Sequence, residues 1–161
     1  MDALEAIRRR RSVRKYTGDP IPRKDLEKIV DAGRLAASGS NQQPWEFIVI
    51  TRREMIDKLK VASLWMEKAG AIIAVVMDPS SRWWIEDGAA AVENMLIAST
   101  ALGYGSCWLE GYTLPREEEF KTLLRIPKEK RLLTLVPIGV PVEWPLREKR
   151  PLEEVIHWEK Y

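Results

Sequence analysis

Two stretches near the N-terminus, RRRRSVRKY at residues 8–16 and SGSNQQPW at residues 38–45, carry most of the information in this chain. The first places six basic side chains within residues 8–15. Guanidinium groups bind phosphate oxygens in a bidentate manner, so this segment suits a phosphate. The second stretch offers hydroxyl and amide groups, which suit the polar edge of a heterocycle. Together they predict a nucleotide-like ligand, although composition alone favours a solvated, charged helix face.

Helical and strand patterns alternate on either side of these stretches. Apolar spacing and turn residues predict helices over residues 2–11, 22–37, 54–67, 83–102 and 116–124, and strands over residues 45–51, 71–77, 105–109 and 132–140. Such alternation predicts a layered α/β protein with helices flanking a sheet. Gly103 and Gly105 form a GxG pair, but they follow a helix and precede a strand, which is the reverse of the Rossmann context. Without a repeat or linker, residues 1–161 are expected to form a single domain.

The overall composition limits the classes of function. The net charge is only +2, so the basic residues matter through clustering and not through their total. The longest apolar run, residues 69–77, is shorter than the roughly 20 residues that a bilayer requires. The N-terminus lacks the features of a signal peptide, and Cys107 is the only cysteine, which favours a reducing compartment such as the cytoplasm. With a single histidine and scattered carboxylates, no metal site is predicted.

Five segments, taken in order, resemble the FMN-dependent nitroreductase family. Besides the two opening stretches, IEDGAAAVENMLIASTALGYGSCWLEGY at residues 85–112 resembles its long central helix and the strand and Glu-Gly turn beside the flavin. LLTLVPIGVP at residues 132–141 resembles its last core strand, and EKRPLEEVIHWEKY at residues 148–161 its C-terminal arm. The resemblance implies an α+β nitroreductase-like fold with a mostly antiparallel central sheet flanked by helices. It also implies a homodimer in which the arm, residues 142–161, is exchanged between subunits.

The resemblance also implies the residues of the flavin site. Arg10 and Arg11, with Ser12, would bind the phosphate and ribityl side of FMN, and Arg14 would lie near the pyrimidine ring. The remaining implied cofactor-binding residues are Ser38, Gly39 and Asn41, in a loop that reaches the flavin of the other subunit, Trp108, Leu109, Glu110 and Gly111, along the ring, and Lys149 and Arg150, near the phosphate. Arg14 and the Gly111 backbone N–H would assist catalysis, while the flavin itself performs the chemistry.

The implied reaction is a ping-pong hydride transfer from NAD(P)H, through flavin N5, to a small organic acceptor such as a nitro compound, a quinone or a free flavin. One alternative is a flavin-binding or flavin-modifying protein of the same fold without NAD(P)H oxidoreductase activity. Another is a nucleic-acid-binding module that uses the basic N-terminus, against which the aromatic tail and the polar loop argue. No nucleic-acid or membrane partner is therefore expected.

The chain departs from larger members of that family at two places. Only residues 78–82 separate the second predicted strand from the central helix, where larger members carry a long insertion. Those members also place a lysine near the flavin pyrimidine just before the second strand, and the position that aligns best here is Trp65. Both departures bear on the choice of substrate more than on FMN binding.

Overall fold

The computed structural model describes residues 1–60 and 63–161, and its centre is a four-stranded antiparallel sheet. The strands are β1 (Trp45–Ile50), β2 (Ala71–Met77), β3 (Gly105–Ser106) and β4 (Arg131–Gly139), in the spatial order β1-β2-β4-β3. All three strand pairs run antiparallel. The predicted α+β class, with a mostly antiparallel sheet flanked by helices, is therefore confirmed.

In the described part of the chain, six α-helices surround the sheet: α1 (Ala3–Arg9), α2 (Arg23–Arg34), α3 (Arg53–Leu59), α4 (Trp84–Ala101), α5 (Glu110–Thr113) and α6 (Glu117–Leu124). Short 3-10 turns occupy Gly39–Asn41, Leu64–Lys68, Leu114–Arg116 and Leu152–Glu154. The Asp2 carboxylate accepts the Glu5 N–H at 2.9 Å and caps the N-terminus of α1. This short helix ends at Arg9, within the basic segment.

The core lies on both faces of β2, whose seven residues are all buried. Because side chains alternate across a strand, Ile73, Val75 and Met77 pack on one face, in a cluster that includes residues of α2 and α4. The intervening residues pack on the other face against residues of α3 and α6, such as Ile56 and Phe120. Because both faces of β2 are buried, its sequence is an uninterrupted run of apolar residues.

Several predicted boundaries were wrong, for local reasons. The predicted helix 54–67 ends at Leu59, and Ser63 is extended before the turn Leu64–Lys68; residues 61 and 62 of that prediction lie outside the described residues. The predicted strand 105–109 forms a regular ladder only over Gly105–Ser106. Beyond it, the N–H groups of Cys107 and Leu109 still donate to β4 carbonyls, and the chain then turns into α5.

Among the described residues, no helix combines the length and the apolar character that crossing a membrane would require.

Candidate functional site

The basic segment is held against β3 by backbone pairing. Ser12 forms a parallel bridge with Ser106, and the Val13 N–H donates to the Ser106 carbonyl at 2.9 Å. The Val142 N–H donates to the Lys15 carbonyl at 3.0 Å, so the beginning of the arm lies on the same segment. These bonds bring together three regions that are distant in sequence: the basic segment, the β3 region and the arm.

A cavity of about 420 Å³ opens where the basic segment meets the arm. Its lining consists of Arg10, Arg11, Ser12, Arg14, Pro145, Arg147, Glu148 and Lys149. Five of these eight residues are cationic and one is anionic, so the cavity has a strong positive charge. Guanidinium and ammonium donors converging in this way suit a phosphate group.

Arginine side chains at the cavity differ in the contacts that hold them. Arg11 Nε donates to the Arg147 carbonyl at 3.1 Å, and its Nη1 donates to the carbonyls of Arg8 and Arg10 at 2.8 and 2.7 Å. These bonds hold the start of the basic segment against the arm. Arg10 pairs with Glu93 of α4, with 3.2 Å between Nε and Oε1, which fixes its guanidinium at the cavity.

Arg14 is exposed and has a looser environment. Its Nη1 donates to the Ser12 carbonyl at 3.3 Å, and its Cζ lies 5.8 Å from the ring centroid of Trp65. A guanidinium at this distance from an indole face is attracted to it. The structure therefore places Trp65, the residue at the departure from larger family members, directly beside the predicted pyrimidine-side arginine.

Strand β3 and the residues directly after it contain two buried polar atoms that lack partners within the described chain. These are the Ser106 hydroxyl and the Trp108 indole N–H. Burial raises the pKa of the Cys107 thiol, while the charges of Arg14 and Arg10 and the Ser12 hydroxyl act in the opposite direction. The thiol of this neutral cysteine thus lies close to the predicted binding residues.

Leu109 is buried under the sheet, whereas Glu110 and Gly111 begin α5. The predicted Glu-Gly turn is thus the first turn of a helix, in which backbone N–H groups lack intrahelical partners. A Cβ added at Gly111 would meet no atom within 4 Å, so the backbone there faces open space. The side of Gly111 where a Cβ would lie is therefore open to a ligand.

The loop that contains Ser38, Gly39 and Asn41 contributes none of the residues that line this cavity. It precedes β1, whereas the basic segment pairs with β3, and these strands form opposite edges of the sheet. Three strand spacings separate the two edges, about 14 Å. The loop thus adjoins the edge of the sheet opposite the one that pairs with the basic segment.

At the C-terminal end, Lys149 lines the cavity, and Arg150 is exposed beside it. Sequence reasoning missed four residues here: Pro145, Arg147 and Glu148 in the lining, and Glu93 as the partner of Arg10. Arg147 had a signal, because it is a cation two residues before the predicted pair. No signal in the sequence pointed to Glu93, because its pairing with Arg10 depends on the packing of α1 against α4.

The residues present fit a phosphorylated heterocycle. The cationic lining matches a phosphate, and the partnerless Ser106 hydroxyl and Trp108 N–H can serve a polar ligand. In the part of the chain that the structure describes, no group of three or more histidine, cysteine or acidic side chains could hold a metal ion.

Comparison with known proteins shows a likeness that extends over most of the chain. The model of the Nitroreductase family matches residues 7–68 and 59–140. A protein of Archaeoglobus fulgidus named NADH dehydrogenase/NAD(P)H nitroreductase is 41% identical over 87% of this chain and 86% of its own length.

Two solved structures extend the likeness to nearly the whole fold. A protein of Parabacteroides distasonis with the same name superposes with a TM-score of 0.90 at 31% identity, over 99% of this chain and 98% of that one. A nitroreductase with bound FMN from Bacteroides fragilis superposes with a TM-score of 0.82 at 29% identity, over 99% of this chain and all of the other.

Proposed function

The chain belongs to the Nitroreductase family, and on that premise we propose that it is an FMN-dependent oxidoreductase. It would take hydride from NAD(P)H and pass the reducing equivalents to a small organic acceptor, a nitro compound, a quinone or a free flavin, in two half-reactions. The observation that carries this proposal is the convergence of Arg10, Ser12, Arg14 and Lys149 on one cavity. The whole chain would act as one flavin-binding unit in a reducing compartment such as the cytoplasm.

When bound, FMN would supply the hydride chemistry, and the chain would bind and orient it. Arg10 and Lys149, with Arg11, Ser12 and Arg150 nearby, would hold the phosphate. Arg14 would stabilise negative charge that develops on the pyrimidine side of the ring. The segment Trp108–Gly111 would lie along the ring, with the Gly111 N–H near the hydride-accepting edge.

A complete site would require a second copy of the chain. The loop with Ser38, Gly39 and Asn41 supplies none of the residues that line the cationic cavity of its own chain, and we propose that the loop of one subunit serves the cavity of its partner. We therefore propose a homodimer with two flavin sites at its interface.

Exposed apolar side chains of the arm would favour formation of this dimer. Leu146 and Trp158 are 97% and 79% exposed, which costs free energy unless another surface covers them. A groove of about 610 Å³ runs between α2 and β1, with Leu26, Val30 and Val49 in its lining. Strand β1 is also an edge of the sheet. The partner's arm would lie on this apolar edge and bury both surfaces.

The absorption spectrum of the purified protein tests the assignment. The protein should be yellow, release FMN on denaturation and consume NAD(P)H when an acceptor is present. Apoprotein should gain about 2.7 kcal/mol of stability at FMN concentrations 100-fold above Kd. A colourless protein that FMN does not stabilise would contradict the proposal. A yellow protein that consumes no NAD(P)H would instead be a flavin-binding or flavin-modifying protein of this fold.

A further inference from the structure

The polar loop at residues 38–43 has a strained backbone. Ser40, Asn41 and Gln43 all have positive φ angles, of 51°, 55° and 51°. Residues other than glycine rarely adopt this left-handed backbone conformation, and glutamine is less suited to it than asparagine. Such strain persists only where the surrounding structure fixes the backbone, and it concentrates at binding sites. The contacts that hold this loop are therefore informative.

Most of the loop's own hydrogen bonds are local and exposed. The Gln43 N–H donates to the Ser38 hydroxyl at 3.0 Å, and the Gln43 side chain donates to the Asn41 carbonyl at 3.3 Å. These bonds shape the loop, but they do not attach it to the rest of the fold. A separate contact must determine where the loop points.

Asp87, in the first turn of α4, provides that contact. Its Oδ1 accepts the Gly39 N–H at 2.9 Å, although the two residues are 48 positions apart. Asp87 is only 5% exposed, and its Oδ2 is buried with no partner among the described residues. A buried carboxylate with one unpaired oxygen disfavours folding relative to a small apolar residue. A contribution to the stability of the core therefore does not explain why Asp87 occupies this buried position.

Trp83 restricts the same glycine from another side. A Cβ at Gly39 would collide with the Trp83 indole, which itself lies under the Arg82 guanidinium at 4.6 Å. Gly39 is thus held by a hydrogen bond through its N–H and by an aromatic ring against its Cα. Both contacts come from the beginning of α4, a rigid element whose buried residues belong to the core.

We infer that Asp87 is a positioning residue for the cofactor site of the partner subunit, acting through the Gly39 N–H to hold the strained loop in its binding conformation. The inference rests on the proposed function, in which this loop completes the site formed by the partner's arginines. It assigns to α4 a second role besides packing, since the helix that carries Glu93, the partner of Arg10, also anchors the loop for the opposite site.

FMN titration of the apoproteins tests the inference. Asp87→Ala should weaken FMN binding by about tenfold, equivalent to about 1.4 kcal/mol, while the melting temperature of the apoprotein stays close to wild type. Asp87→Asn keeps an oxygen acceptor for Gly39 and should stay within about twofold of wild type. The control Glu86→Ala removes an exposed acid from the same helical turn and should bind FMN normally.

A heterodimer provides the sharper measurement. Chains with Arg10→Ala and chains with Asp87→Ala, carrying different affinity tags, should be co-expressed and purified as mixed dimers. One of the two sites then combines an intact cavity with an intact loop, so the mixed dimer should bind one FMN at a concentration at which both mutant homodimers bind little. Global damage to the Asp87→Ala chain, or a loop that serves its own cavity, would give no recovery.

The outcomes separate the two proposals. Wild-type affinity in Asp87→Ala, equal losses in Asp87→Ala and Asp87→Asn, or a mixed dimer without recovered binding would each overturn the role of Asp87 and leave the flavin assignment intact. A wild-type protein that binds no FMN would contradict the proposed function and, with it, this inference.

Discussion

Val13 occupies the space that a side chain on Gly105 would need. A Cβ added at Gly105 would lie 2.6 Å from the Val13 Cγ1 and 2.7 Å from its Cβ. Real Cβ atoms do not approach other carbons this closely, and the β-branched Val13 side chain is fully buried and cannot rotate away. The missing side chain at Gly105 therefore allows the basic segment to pair with β3, which places the arginines at their cavity.

Gly105→Ala should push the basic segment away from β3. We expect a loss of about 1–3 kcal/mol in stability, which is typical of overpacking, and weaker FMN binding. The double variant Gly105→Ala/Val13→Ala should lose less than the sum of the two single variants, because the smaller side chain leaves room for the new Cβ. Thermal unfolding and FMN titration of all three variants measure this coupling, and strict additivity would contradict the proposed clash.

Glu117 should make stability depend on pH. Burial on its own raises the pKa of this carboxyl, but the hydrogen bonds from Arg131 and the Leu132 N–H outweigh it, and the pKa falls below its ordinary value of 4.5. Arg131 donates through Nε and Nη2 at 2.7 and 2.8 Å, and Leu132 at 2.9 Å. Because the folded state favours the ionised form, this contribution is complete above about pH 4.5 and is lost as pH falls through the lowered pKa.

Glu117→Gln should therefore cost about 2–4 kcal/mol at pH 7 and progressively less below pH 4.5, since glutamine resembles the protonated acid. The control Glu118→Gln, at an exposed position on the same helix, should cost under about 1 kcal/mol. Denaturant unfolding across pH measures both. A cost of Glu117→Gln that stays constant down to pH 3 would show that the substitution acts through shape and not through charge.

The arm should have two separable roles. Ending the chain after Arg150 removes the exposed Leu152, Trp158 and Tyr161 but keeps Lys149 at the cavity. Ending it after Glu143 removes these three side chains and Lys149 as well. We expect the shorter deletion to weaken the dimer, and the longer one to weaken FMN binding further through loss of the phosphate contacts. Analytical ultracentrifugation and FMN titration check this, and an arm-deleted chain that stays dimeric with wild-type affinity would refute the arm model.

Sequence patterns predicted the elements whose signals are local. The residues of β2 match the predicted strand because every side chain is buried, and α4 matches closely because its pattern is long. The strand after Gly105 was predicted too long because its continuing bonds to β4 do not form a regular ladder. The flavin-site residues that composition and resemblance suggested remain predictions, although the structure gathers those of the basic segment and Lys149.

The missed contacts have a common physical origin. The pairing of Ser12 with Ser106 and the bond from Gly39 to Asp87 join residues tens of positions apart, so no local periodicity encodes them. Asp87 reads in sequence as one of two neighbouring acids in a first turn, where acids are common because they favour the helix dipole. Only the fold shows that one of the two is buried against the loop.

Replacing Arg14 should damage the chemistry more than the fold, because its side chain is exposed and, among residues 1–60 and 63–161, makes only a 3.3 Å hydrogen bond and the contact with Trp65. If Arg14 faces the flavin pyrimidine, Arg14→Ala removes a cation opposite the charge that develops during hydride arrival, a term commonly worth about 2–4 kcal/mol in the transition state. Arg10→Ala should instead weaken FMN binding with little change in rate at saturating FMN. Stopped-flow reduction by NAD(P)H, with FMN titration alongside, separates the two roles. An Arg14→Ala protein that is reduced at the wild-type rate and only loses affinity would make Arg14 a second anchor for the phosphate side.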